Sequence, residues 1–263
     1  MWKCICTARL KIDCRLVAKL AVSLVLSFSH TGTAATEDVE PAEELVEIHY
    51  APDVLSPYKE RRGFWAPVVG LGFSAIRPTG FVSDFTDEND SDFSYDDIFG
   101  KKTMSTFSFY GGFQINFGGI SIGPTIGIMT GKATGEGGGG LTQLNISCRK
   151  AGIIVNLDGI MQEPYVVPTA HFELNLADYV EEFATEDAVN ISSKSTTPFL
   201  SYTVGALIQL NWIDPDGTFV SLKENGLNNT FVHLYLGQLM ATSGSSTSFS
   251  TPIAFGAGVK LEF

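Results

Sequence analysis

Residues 198–213 read PFLSYTVGALIQLNWI, and their alternation decides the fold. Leu200, Tyr202, Val204, Ala206, Ile208, Leu210 and Trp212 occupy every second position, with Ser201, Thr203, Gly205, Gln209 and Asn211 between them. Successive side chains of a strand point to opposite faces, so the spacing describes a strand with one bulky apolar face and one small polar face. A helix, repeating every 3.6 residues, cannot produce it.

Working outward, the same pattern recurs eight times between Trp65 and Phe263. The first strand, 65–76, lines up Trp65, Pro67, Val69, Leu71, Phe73 and Ala75 against Gly70, Gly72 and Ser74. The second (104–117) carries Phe107, Phe109, Phe113, Ile115 and Phe117, and the third (120–131) Ile120, Ile122, Ile126 and Ile128. The fifth (164–177), seventh (229–241) and eighth (250–263) follow suit. In the fourth, 141–157, the apolar positions change parity, from Leu144, Ile146 and Cys148 to Ala151, Ile153, Val155 and Leu157. A β-bulge near Arg149 and Lys150 would restore the register and is expected there. The prediction is an all-β chain: an eight-stranded antiparallel up-and-down transmembrane β-barrel over 64–263.

Alternation alone does not say which face is outside. A soluble barrel would show water a face rich in Lys and Glu. Here the polar face is mostly Gly, Ser, Thr, Asn and Gln, residues small enough for the crowded lumen of eight strands. The apolar face is aromatic and almost uncharged, as lipid contact demands, because a basic residue at mid-bilayer costs about 2–4 kcal/mol. Trp65, Phe107, Phe117, Tyr202 and Trp212 lie toward strand ends, where interfacial aromatic belts form. Connections alternate in kind. Asn116–Gly119 and Asp158–Glu163 are short, and Asp214–Asn228, though longer, belongs to the same side, with a small hairpin at 218–223 as one reading. On the other side lie acidic 77–103, Gly-rich 132–140, acidic 178–197 and Ser-rich 242–249.

The first 35 residues read as an export signal. Lys3, Arg9, Lys11, Arg15 and Lys19 precede the apolar run 20–28, and small residues follow, placing cleavage near Ala34 or Ala35. Residues 36–63 form an acidic, proline-containing extension assigned to the periplasm, which either stays partly ordered or folds back to plug a barrel. Of four cysteines only Cys148 lies beyond the signal, which excludes a disulfide-stapled scaffold. The chain has 17 basic and 29 acidic residues; the signal takes five and one of these, leaving 12 against 28. That excess excludes nucleic acid as a partner.

The last eight residues, GAGVKLEF, end on an aromatic residue with Val259, Leu261 and Phe263 in alternation. Here the chain resembles the small eight-stranded outer-membrane β-barrels of Gram-negative bacteria, of the OmpA transmembrane-domain, OmpX and OmpW type. The resemblance implies outer-membrane localisation, with both termini in the periplasm. It makes Val259, Leu261 and Phe263 the signal read by the barrel assembly machinery. Outer-membrane lipid and lipopolysaccharide are the expected surroundings, with divalent cations near the acidic outer loops. The resemblance fixes no activity, because one scaffold hosts many functions.

Signals for chemistry are few, and neither a catalytic set nor a cofactor is expected. Gly135–Gly140 satisfies G-x-G-x-x-G, but a strand follows instead of a helix, so no phosphate cradle forms. The run Asp87–Asp92, with Asp96 and Asp97, offers carboxylates to a hard cation but lacks the EF-hand glycine and glutamate positions, so it reads as a solvated acidic loop. Arg149, His171, Glu173, His233, Lys260 and Glu262 are assigned to the lumen as a structural polar network, with Arg149 close to Glu173. The leading expectation is a non-enzymatic envelope or surface-interaction protein acting through loops 77–103 and 178–197. The alternatives are a narrow pore for small or apolar solutes and a barrel enzyme acting on lipid or peptide.

Overall fold

The computed structural model describes residues 56–86, 92–137, 140–184, 188–241 and 249–263. The signal, most of the extension and the acidic run at 87–91 lie outside them. Eight alternating segments become strands because each can bury small polar residues on one side only by joining neighbours into a closed sheet. Numbered in chain order with the short pair β2 (Val82–Thr86) and β3 (Asp92–Ser94) and the added strand β8 (Val189–Ser195), they are β1 (Trp65–Ile76), β4 (Met104–Phe117), β5 (Ile120–Gly137), β6 (Gly140–Asn156), β7 (Val166–Ala184), β9 (Phe199–Gln209), β10 (Asn229–Leu239) and β11 (Ala254–Glu262). The hydrogen-bonded order runs β6-β5-β4-β1-β11-β10-β9-β7, and pairing of β6 with β7 closes the ring. Every pairing is antiparallel, so the chain is an eight-stranded up-and-down barrel with no open edge across its body.

The exterior is apolar. Trp65, Phe73, Phe109, Ile126, Phe172, Leu200, Trp212, Leu236 and Phe255 all stand exposed on the outer wall, Ile126 at 72%. Along β5 the outward apolar run spans Ile120 to Ile128, and along β7 Val166 to Leu176. These are the 9–11 residues a tilted strand needs to cross a bilayer core.

The expected bulge near Arg149 and Lys150 is absent. β6 pairs in unbroken register with β5, from Gly137↔Gly140 to Ser121↔Asn156, and with β7 throughout. Leu144, Ile146 and Cys148 therefore face inward and are buried, while Ile153, Val155 and Leu157 face outward. The parity change comes from a change of surroundings. On the N-terminal side of Arg149, toward the β5–β6 turn, the outward positions Gln143, Asn145 and Ser147 are polar, and an apolar core fills the inside. A one-residue register shift does occur two strands away. β8 (Val189–Ser195) pairs with the outer end of β7 and β9 with its inner end, and the pairing slips between Asp178↔Ser195 and Asn175↔Phe199. Pro198, which has no N–H to give, lies in that slip.

Two connections depart from expectation. The 178–197 segment is largely a β7–β8 hairpin extending the wall. Residues 218–223 belong to helix α3 (Pro215–Asn225); α1 is Tyr58–Arg61 and α2 Tyr95–Phe99. The α3 start follows from Asp214, whose carboxylate accepts from Gly217 N–H at 2.9 Å, with Pro215 at the first helical position. It stops at Gly226, left-handed with φ 68°.

Candidate functional site: the layered lumen

Three layers fill the barrel. At the end with short turns, residues 58–64 fold back and fasten each turn. Lys59 N–H donates to Gln162 O, Asn116 N–H to Phe64 O, and Arg61 to Asn228 O; Arg62 donates to Gly118 O. Arg62 also pairs with Asp158 at 3.0 Å, and Tyr58 inserts fully into the mouth. The Tyr58 phenol donates to Glu262 Oε1 at 2.5 Å. Ser121 donates to Asp158 at 2.5 Å, and Gln114 Nε2 to Glu262 Oε2 at 3.2 Å. Lys260 Nζ donates to Gln114 Oε1 at 2.8 Å, lies 3.7 Å from Glu262 and sits over the Phe231 ring. Residues 58–63 at the end of the extension thus sit in and across this mouth.

Burial, with Glu262 and Asp158 beside it, raises the Tyr58 pKa well above the ordinary tyrosine value. A group that resists ionisation when folded adds stability below its unfolded pKa of about 10 and loses it as pH rises beyond. Urea midpoints followed from pH 8.5 to 11.5 are expected to decline less steeply in Tyr58→Phe than in the parent; parallel curves would exclude Tyr58 as the cause.

The middle layer holds the two histidines. His171 and His233 stack with ring centres 5.6 Å apart, Tyr110 meets His171 edge-on at 5.2 Å, and Tyr235 lies against His233. Glycines let the tyrosine rings lie flat on the wall. A Cβ at Gly70 would come within 2.2 Å of the Tyr110 ring, and one at Gly256 within 2.3 Å of Tyr235. Above them Lys150 pairs with Glu173 at 2.9 Å, and Ser201 donates to the same carboxylate at 3.3 Å. These groups border a cavity of about 70 Å³.

The outer layer is apolar. The 77–103 segment, expected to project as a surface loop, sends Phe81, Tyr95, Ile98 and Phe99 inward onto Met104, Leu144, Ile146, Cys148, Tyr179 and Phe249. Phe81 touches three rings, Tyr95, Tyr179 and Phe249, at 5.8–6.4 Å. Asp96 is tied to Arg77, and Asp97 caps α2 through Ser94; the remaining carboxylates of that run are not described. Among the described residues no three His, Cys, Asp or Glu groups converge at metal-binding distance.

Of the six residues assigned to the lumen, His171, Glu173, His233, Lys260 and Glu262 are buried inside it. Arg149 is not. Its side chain faces outward, 68% exposed, and pairs with Asp178 at 3.0 Å, while the adjacent Lys150 takes the inner place beside Glu173. The unbroken β6 register is the reason. Sequence reasoning missed Tyr58, Gln114, Asn156 and Asp158 as network members; the alternation of Gln114 and Asn156 with apolar neighbours was the available signal. Val259 and Phe263 stand on the outer wall, with Leu261 partly covered between them.

The closed eight-stranded ring with an apolar exterior has the architecture of the small outer-membrane β-barrels. No protein-family model matches the sequence, and no curated protein does. Among solved structures, the attachment invasion locus protein Ail of Yersinia pestis superposes at 12% identity with a TM-score of 0.40, covering 76% of this chain and 97% of that one. Neisserial surface protein A gives 8% identity and 0.40, over 76% and 98%. The transport unit of the Escherichia coli autotransporter AIDA-I gives 11% and 0.31, over 76% and 64%.

Proposed function

We propose that the chain is a non-enzymatic outer-membrane barrel that passes nothing along its axis and acts through its outer end, supporting the envelope or meeting partners at the cell surface. The carrying observation is the combination of an apolar exterior with a lumen obstructed in three layers. Among the described residues, Arg62 and Asp158, Lys150 and Glu173, and Lys260 and Glu262 pair inside the barrel, so these charges are offered to each other and not to a passing solute. The β5–β6 and β7–β8 hairpins, standing above the apolar band, supply the exposed surface, with lipopolysaccharide at their base and divalent cations at their carboxylates. Biogenesis through the assembly machinery would use the outward Val259 and Phe263.

The test combines fractionation, gel mobility and conductance. The mature chain should enter the outer-membrane fraction, shift on SDS gels when boiled, and give no steady channels in planar bilayers. A freely soluble chain would sink the membrane reading, and stable conductance would restore the pore.

A further inference from the structure

The cavity of the middle layer has two properties that a merely packed lumen lacks. His171 Nε2, His233 Nε2 and Tyr110 Oη are buried and hydrogen-bond to no atom of the described residues, and all three residues line it. Their exposures are 3%, 5% and 9%. Each such group costs free energy unless something bonds it. The cavity also reaches the wall where the seam between first and last strands is unsewn. The β1–β11 ladder ends at Ser74↔Gly256, and the next backbone bond across this seam is Thr79 N–H to Ser250 O. Between them lie Ala75–Pro78 and Thr251–Phe255, where Pro78 and Pro252 have no N–H to offer. Ser74, Ile76, Thr251 and Ala254 line the cavity there. On the outside the gap is flanked by Phe73, Ile253 and Phe255, each exposed on the apolar wall.

We propose that this cavity binds the uncharged polar head of a single-chain amphiphile whose tail leaves through the seam into the hydrocarbon. The size suits a head alone, since about 70 Å³ matches roughly two waters. The wall chemistry selects a neutral head. Its charged groups, Lys150 and Glu173, are spent on each other, so an ionic head would shed its hydration and meet no free counter-ion. A hydroxyl both donates and accepts, which suits a phenol and two imidazole nitrogens. The lateral seam reconciles such a site with a blocked axis.

The inference rests on the membrane reading above. The test places the full mature barrel in phospholipid nanodiscs, with ¹⁵N-labelled histidine, and adds 1-decanol, decanoate or decane. Expected is a saturable shift of the His171 and His233 imidazole signals with 1-decanol, stronger than with decanoate and absent with decane. Tyr110→Phe, which deletes one hydroxyl, should weaken 1-decanol about tenfold, the scale of one hydrogen bond. Ala75→Trp, on the lipid side of the seam, should block or slow the shift while leaving gel mobility unchanged. No saturable shift, tighter binding of decanoate, or binding indifferent to both variants overturns the proposal. Loss of membrane insertion or of the heat-dependent gel shift in the parent would instead sink the barrel reading.

Discussion

Replacing Lys260 by methionine is expected to lower the barrel's unfolding free energy by about 3–5 kcal/mol, the scale for stripping one partner from a buried ion pair. Both members are at most 1% exposed, and Lys260 also bonds Gln114, which bonds Asn156 in turn. Without the ammonium, Glu262 keeps Tyr58 and Gln114 as its side-chain donors among the described residues. The double variant Lys260→Met/Glu262→Gln removes both charges and should recover most of the loss, because a neutral pair has no unpaid desolvation. Urea unfolding in lipid vesicles, followed by tryptophan fluorescence, measures both. A single variant costing under about 1 kcal/mol, or a double as unstable as the single, would mean that water reaches the pair.

Phe81→Ala is expected to open the outer end. Truncating a buried phenylalanine costs about 3–5 kcal/mol. Here that cost falls on a segment held to the barrel chiefly by apolar packing and by the Ser83–Glu181 bond. The eight strands pair without it, so the barrel should remain heat-modifiable while protease begins to cut within 77–103 at least tenfold faster. Unchanged protection would show that Phe81 is not what holds the segment down.

Much of this was legible in the sequence, for a physical reason. Lipid outside and a narrow lumen inside impose opposite demands on neighbouring residues, so alternation records both, and β1 and β4 fall where the pattern places them. The signal failed where the surroundings change along one strand. Leu144, Ile146 and Cys148 look like lipid-facing residues until the 77–103 segment is known to cover them from within, and no local pattern announces that long-range contact. Arg149 was misplaced for the same reason. The α3 helix was obscured by its two turn signals, which serve as its cap and its stop. Tyr58 could not be read as a plug because its partners lie about 100 and 204 residues away.

The unslipped course of β6 has a consequence for how this chain tolerates change. Below Arg149 the strand obeys the rules of a membrane protein and above it those of a water-soluble one, with no kink to mark the frontier. Adding a methyl-rich side chain at Ala151 should pass unnoticed, whereas the same change at Ser147, four residues away and facing the same way, should make the outer half sticky. Variation in this strand should therefore follow depth in the membrane rather than inside or outside.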